Sequence, residues 1–330
     1  MIRGTLLRRV APVLVLFGLT PLVAEYLLGD LLITQLDALP VLALLYGSGA
    51  VVIRELARRS GRGWPAMLTL GLAYAIAEEG LATQSLFTPH YLGLRLLDYG
   101  FIPFLGMGAP WTVLVLSLHP IWSIGVPVAL TELMFRGRRT TPWLGRTGLI
   151  WFSLLCVLGM SLLGSYTSNH EHFTSSPSQL TLSALCALAV GVAAFRLVRP
   201  EGEAPTSASQ APSPWLVGAT ALLAGSALEL ISKYAPEEKV IPAAVTVLAV
   251  LALEAAVLVF IERTSRRAGW SDAHRFALAS GGLLVYCWWG FVIQASLHGP
   301  SFWPGHAILV AAALALLVLI GLRQRKPYHG

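Results

Sequence analysis

Long apolar stretches alternate with short polar or charged ones along the whole chain. Each apolar stretch approaches the roughly 20 residues that an α-helix needs to cross the hydrocarbon core of a bilayer. The stretches are too long for strands and lack the alternation typical of a membrane β-barrel. The pattern therefore predicts an all-α polytopic membrane protein with about ten transmembrane helices, at residues 10–29, 35–53, 65–86, 110–133, 147–166, 179–197, 215–232, 241–261, 277–297 and 305–322.

The first apolar stretch follows three arginines, as the core of a secretory signal peptide does. Its apolar part is longer than a usual signal core, and no small-x-small cleavage site follows before Asp30. We therefore expect this segment to be retained as the first helix.

The distribution of positive charge predicts the orientation. If the N-terminus is cytoplasmic, all but three of the 23 Lys and Arg residues lie on the cytoplasmic side, the exceptions being Arg95, Lys233 and Lys239. Cytoplasmic loops accumulate positive charge, and a wrong helix count would disrupt this alternation. Both termini are therefore predicted to be cytoplasmic. The Arg-rich loops could instead contact anionic lipid or nucleic acid, but the topology alone explains them. The expected partner is therefore the lipid bilayer, and binding of nucleic acid is not expected.

Composition supports the same class. Hydrophobic residues make up 55% of the chain and charged residues 12%, with a mean hydropathy of +0.69. A soluble domain carries about 25% charged residues, and a disordered chain needs low hydrophobicity, so both are excluded. Cys156, Cys186 and Cys287 lie far apart in apolar runs and indicate no disulfide framework. The excess of arginine over lysine fits a GC-rich bacterial genome, and hence a multi-pass protein of a bacterial inner membrane.

The longest polar break divides the chain. Residues 200–214 are rich in Pro, Ser, Ala and Glu, a composition typical of a flexible linker, here on the cytoplasmic side. The predicted organisation is a six-helix membrane core at residues 1–199, this linker, and a four-helix membrane segment at residues 215–330.

Ionisable side chains within the spans indicate where function resides. Each costs about 2.5–3.5 kcal/mol on insertion scales, so each is a candidate functional residue. At 1.5 Å per helical residue, four of them lie about 6–14 Å beneath the outer surface and one lies deeper. The four are Glu25, Glu78, Glu79 and His119, and the deeper one is Glu254. Three carboxylates and one imidazole are thus expected in one outer layer.

The third span carries the adjacent pair Glu78 and Glu79. Small residues cover nearly every side of this helix, so close packing and a central position are predicted. Adjacent helical side chains diverge by about 100°, so the two carboxyls should not point identically. Two neighbouring carboxyls in a low dielectric should not both ionise, so one of them is expected to hold a proton near neutral pH. Such a carboxyl is what general acid–base chemistry or proton coupling requires. Alternatively, both are structural and bond to Tyr74, Thr83 or helix ends.

The fourth span carries His119 and Ser123, which share one helix face because four residues separate them. Pro120 and Pro127 each remove a backbone donor, so this helix should be kinked. A histidine in a helix can have a purely structural packing role or a catalytic role. Both roles remain open for His119.

The outer loop after the fifth span contains His170, Glu171 and His172. Two histidines beside a glutamate can ligate a metal, but the helical spacing of a His-Glu-x-x-His site is absent. Solvated loop residues are the simpler interpretation, and no metal site or other cofactor is otherwise indicated.

The Glu78–Glu79 pair, with His119 on the next span, resembles the CAAX-protease and bacteriocin-processing family of intramembrane peptidases. That family carries Glu-Glu-x-x-x-Arg, Phe-x-x-x-His, and His-x-x-x-Asn or Asp. Here Thr83 stands in place of the arginine and Val115 in place of the phenylalanine. The third motif is approximated only by His170 or His172, followed four residues later by Thr174 or Ser176. The resemblance covers residues 65–135 and implies that a glutamate and a histidine activate water against a peptide bond.

Three functions remain open. An intramembrane hydrolase of the peptidase type would use Glu78 or Glu79 as general base and His119 as proton shuttle, with Glu25, Tyr74, Thr83 and Ser123 in support. A proton-coupled transporter or small-molecule permease would use the same carboxyls, although no internal repeat is visible. A non-catalytic membrane scaffold would leave them as structural pairs. The substrate, whether peptide or small molecule, is not identified.

The predicted topology can be tested by cysteine labelling in a background without the three native cysteines. His170→Cys should react with a membrane-impermeant maleimide in intact cells, whereas Ser207→Cys should react only after permeabilisation, because the charge asymmetry places the two residues on opposite sides. Labelling of Ser207→Cys in intact cells would contradict the ten-span arrangement.

Overall fold

Residues 2–200, 207–238 and 240–324 are described by the computed structural model, without the side chains of residues 2–9, 237 and 238. Lys239 and residues 325–330, predicted to lie in an outer loop and at the cytoplasmic C-terminus, fall outside this range. The side chains of Arg3, Arg8 and Arg9 do so as well.

Helices account for most of the described residues, which confirms the predicted all-α membrane class. Strand β1 (Phe101–Ile102) is antiparallel to β2 (Met107–Gly108), and β3 (Ser207–Gln210) is parallel to β4 (Arg267–Ala268). The α-helices in the described range are α1 (Ile2–Pro21), α2 (Leu39–Leu42), α3 (Ser48–Arg59), α4 (Trp64–Ala77), α5 (Ala109–Leu118), α6 (Val126–Met134), α7 (Arg146–Glu171), α8 (Pro177–Arg196), α9 (Pro214–Glu238), α10 (Ala243–Ser265), α11 (Asp272–Leu297) and α12 (Trp303–Gln324).

Four π-helical turns extend or join the first six of these helices. They follow α1, join α2 to α3, follow α4 and join α5 to α6, at Leu22–Leu27, Ala43–Gly47, Glu78–Ala82 and His119–Gly125. Pro120 lies in the first turn of the last of them, where its missing N–H removes a helical hydrogen bond. The distortion predicted for the fourth span is therefore present. Short 3₁₀ turns occur at Ile33–Ala38, Tyr91–Gly93, Arg136–Arg138 and Pro300–Phe302.

Nine helical segments within the described residues are long and apolar enough to cross a membrane. Nine of the ten predicted spans overlap them. The remaining span, predicted at residues 65–86, corresponds to α4 and the π turn that follows it. Glu78 and Glu79 lie in that turn and lower the hydropathy of the segment.

Two helices extend further than their apolar runs predict. Helix α3 continues to Arg59, so Arg54 and Arg58 lie inside the bundle as buried residues instead of in a cytoplasmic loop. Helix α7 continues to Glu171, so His170 and Glu171 belong to its last turn instead of the expected outer loop.

The spans separate into a buried inner group and an exposed outer group. Half or more of the apolar window is buried in Val10–Leu27, Ile33–Arg59, Ala109–Met134 and Asp272–Leu297 (50–56%), against 6–17% in the other five. Helix α4 is also internal, and it packs on α8 and on the π turn His119–Gly125. The inner group therefore contains the third and fourth predicted spans. It also contains α11, which packs against α6 and α9 and so links the two predicted membrane segments.

Small residues allow the inner helices to approach closely. A Cβ atom placed on Gly71 of α4 would lie 3.0 Å from the Cα of Pro120. One placed on Gly80 would lie 2.5 Å from the hydroxyl of Ser183 on α8. These contacts agree with the slim third helix that the sequence predicts.

A buried ionic network lies at the end of α3 that the orientation prediction makes cytoplasmic. Arg54 Nε lies 3.1 Å from Glu132 Oε1, and Arg58 Nη2 lies 2.8 Å from Glu132 Oε2. Arg54 Nη1 also lies 2.9 Å from Glu55 Oε1, and its guanidinium stacks 3.4 Å above the ring of Trp143. Each charge is partnered, which is the condition for keeping charges inside a bundle. The network fixes α3 to α6.

The predicted linker is only partly described. Residues 201–206 lie outside the described range, while residues 207–210 form β3 and pair with β4. The described part of the linker is thus attached to the segment that precedes α11.

Gly47→Ala should destabilise the protein by about 1–3 kcal/mol, because a Cβ there would overlap the carbonyl oxygen of Phe17 on α1. Gly18→Ala is the matched control, since no atom lies within 4 Å of the added Cβ. Thermal unfolding in detergent should show a lower midpoint for Gly47→Ala only. Equal midpoints would mean that the π turn Ala43–Gly47 is not packed against α1 as described.

Candidate functional site

The four π turns bring their polar residues to one place inside the bundle. Glu25, Tyr46, the pair Glu78 and Glu79, and His119 each lie on a different turn. The Tyr46 ring stacks on the His119 ring at a centroid distance of 5.9 Å. Such turns are rare and recur at functional sites. The sequence predicted that Glu25, Glu78, Glu79 and His119 lie in one layer, but it did not predict the π turns that carry them.

The centre of the site is a contact between one imidazole and two carboxylates. His119 Nε2 lies 2.8 Å from Glu79 Oε1 and 3.1 Å from Glu78 Oε2. The exposed fractions of His119, Glu79 and Glu78 are 5%, 8% and 0%. We refer to these three residues as the Glu–Glu–His cluster. The two adjacent glutamates, which were expected to point apart, meet at one nitrogen atom.

Glu79 has a polar partner at each of its oxygens. Its Oε1 lies 2.8 Å from His119 Nε2, while Oε2 accepts hydrogen bonds from the hydroxyl of Thr83 (3.1 Å) and from the hydroxyl of Ser85. Two hydroxyl donors and a ring nitrogen at hydrogen-bonding distance use most of the hydrogen-bonding capacity of this buried carboxylate. Glu79 therefore has the environment of a fixed anchor. The sequence singled out Thr83 but not Ser85, which carries no motif of its own.

Glu78 lies in a different environment. Its side chain is fully buried, yet neither oxygen accepts a hydrogen bond from any described residue. Oε2 is within ion-pair distance of His119 Nε2 but lacks hydrogen-bond geometry. An unsatisfied buried acceptor costs about 1–3 kcal/mol and more when it is charged. A proton, a water molecule or a cation at this position would remove that cost.

His119 is oriented from its other side. Nδ1 lies 3.2 Å from the hydroxyl of Ser123, as the shared helix face predicts. Tyr74 packs edge-on against the imidazole at 6.0 Å, and its hydroxyl has no hydrogen-bond partner within the described range. Tyr74 thus contacts the histidine ring and does not bond to either glutamate.

Glu25 borders the cluster without joining it. It interacts with Tyr46, Glu78 and His119. Asp30, in the loop after the first span, has its pKa raised to about 7 by burial and by the negative charge of Glu79. Titratable carboxyls therefore continue from the cluster through Glu25 to Asp30.

The other sequence candidates lie elsewhere. Glu254 lies on α10 and interacts with Ser117 of α5. His170 stacks on Tyr166 of its own helix at 5.6 Å, and Glu171 accepts a hydrogen bond from the Leu92 amide at 3.0 Å. His172 follows α7 in a left-handed conformation. Among the described residues, the group whose ligand atoms are close enough to hold a metal ion is the Glu–Glu–His cluster, so the outer histidines do not form the expected alternative.

Sequence reasoning missed two further groups of buried charges. Glu229 on α9 is 3% exposed and interacts with the indole of Trp289. Glu132 and Arg54 belong to the network described above. Glu132 and Glu229 lie within predicted spans, so the cost of an intramembrane charge could have identified them. Arg54 was hidden because its apolar run appeared to end one residue earlier.

Comparison with known proteins identifies the family only. The profile of an uncharacterized membrane protein family matches residues 14–327, so the chain belongs to that family. No curated protein and no solved structure matches the chain.

The two glutamates should differ in their contribution to stability. Glu79→Gln replaces an acceptor oxygen by a donor opposite Thr83, Ser85 or His119, and should cost about 1–3 kcal/mol. Glu78→Gln removes a charge whose oxygens accept no hydrogen bond from described residues, and should leave the unfolding midpoint unchanged or raise it. Thermal unfolding of both variants in one detergent provides the comparison. A larger loss in Glu78→Gln would show that the assignment of anchor and free carboxylate is reversed.

Proposed function

We propose that this member of an uncharacterized membrane protein family is an intramembrane hydrolase of the peptidase type, with its site in the outer half of a bacterial inner membrane. The observation that supports this function is the environment of the Glu78 carboxylate. It is fully buried, it lies 3.1 Å from His119 Nε2, and its oxygens accept no hydrogen bond from described residues.

The cluster has the groups that water activation requires. Glu78 accepts a proton from a water molecule as its oxygen attacks the carbonyl carbon of the substrate. His119 stabilises the developing negative charge and delivers a proton to the leaving amine, so that one water is consumed and two products form. Glu79 acts as a positioning residue that holds the imidazole. A correctly placed acid or base of this kind contributes about 10²–10⁴-fold to the rate.

The resemblance to CAAX-protease and bacteriocin-processing peptidases supports the same chemistry. The Glu-Glu pair and the histidine of the two motifs lie in contact, although their sequence separation is 40 residues. Thr83, at the position of the motif's arginine, donates to Glu79. The hydroxyls of Thr83 and Ser85 thus hold the second glutamate. In the motif, an arginine stands at the position of Thr83.

A proton-coupled carrier is the second candidate, and the further carboxyls near the cluster favour it. Asp30 interacts electrostatically with Glu79 and with Glu229, and Glu25 does so with Glu78. Such a series could relay protons between the segments that follow α1 and α4 and helix α9. A membrane scaffold is the third candidate, in which the same contacts only hold helices together.

Hydrolysis can be tested without knowing the natural substrate. The purified protein is reconstituted in proteoliposomes with a mixture of synthetic transmembrane peptides in H₂¹⁸O, and the peptides are analysed by mass spectrometry. New C-termini that carry ¹⁸O are expected with the wild-type protein. Glu78→Gln and His119→Ala should lose this labelling by at least about 100-fold, while circular dichroism shows that both remain folded.

Glu254→Gln is the matched control, since Glu254 is a membrane carboxyl outside the cluster, and it should label peptides as the wild type does. Absence of ¹⁸O incorporation in the wild type would overturn the hydrolase. Proton uptake into the same vesicles that depends on Glu78 would then identify the carrier. Loss of folding in His119→Ala with no activity in the wild type would identify the scaffold.

A further inference from the structure

We propose that Glu78, Glu79 and His119 form a binding site for one divalent transition-metal ion, with zinc as the best-fitting class. The binding site depends on the geometry of the cluster alone. Only the role of the metal in hydrolysis rests on the proposed function.

The distances fit an ion placed between the three side chains. One ligand atom from each residue lies within 4.8 Å of the others. Zinc binds histidine nitrogen and carboxylate oxygen at about 2.0–2.2 Å, so two such ligands in a tetrahedral site are about 3.4 Å apart. The Nε2–Oε1 and Nε2–Oε2 distances of 2.8 and 3.1 Å are only slightly shorter. An outward shift of a few tenths of an ångström would therefore admit the ion.

The lone pairs of the cluster converge without enough donors to satisfy them. If Nδ1 of His119 donates to Ser123, then Nε2 carries a lone pair that faces two carboxylates. If Nε2 is protonated instead, its single hydrogen serves Glu79 and leaves both Glu78 oxygens unsatisfied. A dication between the three atoms satisfies all of them and offsets the charge of two buried carboxylates.

The second layer of contacts has the pattern found around metal ligands. The ring nitrogen of a metal-bound histidine that does not bind the metal usually donates its N–H to a fixed acceptor. Carboxylates that bind the metal are themselves hydrogen-bonded. Ser123 lies at the far nitrogen of His119. Thr83 and Ser85 occupy Oε2 of Glu79, which leaves Oε1 directed at the shared space.

The donor set restricts the kind of ion. One imidazole and two carboxylates suit Zn²⁺ or Mn²⁺-like ions, whereas the absence of a thiolate among the three disfavours Cu(I). Three protein ligands also leave a fourth position for water, as in catalytic zinc sites, where the metal lowers the pKa of that water to about 7. With zinc bound, Glu78 and His119 Nε2 would serve as ligands, so the metal would take over from Glu78 the activation of the water molecule.

The test uses purified full-length protein that is stripped with a chelator and then titrated with Zn²⁺ and, separately, with Co²⁺. Elemental analysis should give one zinc per chain, and Co²⁺ should develop the visible absorption of a tetrahedral site. Glu78→Gln and His119→Ala should lose both signals. Ser123→Ala should weaken zinc binding by about 10-fold, as loss of a second-layer contact does.

Matched controls exclude binding elsewhere. Glu254→Gln and His170→Ala remove other candidate ligands and should keep one zinc and the cobalt spectrum. Zinc retained in both Glu78→Gln and His119→Ala, or no zinc in the wild type, would overturn the site. Glu78→Gln is the decisive variant because its folding should be unaffected.

The outcomes for metal and for hydrolysis are separable. Peptide labelling by ¹⁸O in the stripped protein at the full rate would overturn a metal role and leave the hydrolase standing. Stoichiometric zinc that depends on the cluster, without any labelling, would support the metal site and overturn the hydrolase.

Discussion

A carboxylate that leaves water for the inside of a helix bundle loses several kilocalories per mole of solvation, and Glu78 and Glu79 do so side by side. Much of the inner group of helices is arranged around these two side chains. Two hydroxyls and an imidazole compensate Glu79. These contacts require that the residues after α4 turn back, so that Ser85 reaches Glu79. They also require that the π turn after α5 places His119 at the same depth. Gly71 permits this because α4 can then lie against Pro120 with backbone contact.

The π turns explain how adjacent glutamates reach one imidazole. In a regular α-helix the two side chains diverge by about 100°. A π turn has more residues per turn, so each residue rotates less about the axis and neighbouring side chains lie closer in direction. Glu78 and Glu79 begin such a turn, and His119 begins another on the facing helix. The two irregular turns thus lie where three polar side chains converge.

The spans and the core of the candidate site could be predicted from the sequence because both depend on the cost of polarity in hydrocarbon. Hydropathy located the helices, and the same cost identified Glu78, Glu79 and His119. The anchoring role of Glu79 could not be predicted, since it depends on Ser85, a residue in an irregular segment without any pattern. The burial of Arg54 was missed for a related reason. Charge at the end of an apolar run is expected to face water, and only the tertiary position of Glu132 shows that this guanidinium does not.

Two clusters of buried charges in the same bundle therefore differ in their function. One holds helices together, and the other has the capacity to receive a further group. Around Arg54, each charge of the ionic network has a partner: Glu132 pairs with two guanidiniums, and Glu55 accepts hydrogen bonds from the Trp143 and Leu144 amides at 2.7 and 3.1 Å. Such a network can hold helices together and has no capacity for another group. Around His119 the balance is incomplete, because Glu78 is as deeply buried as Arg54 but its oxygens accept no hydrogen bond from the described residues. Stability alone would favour an apolar side chain at that position. A buried carboxylate with unused capacity is instead what a site needs if it is to receive a proton, a water molecule or a cation.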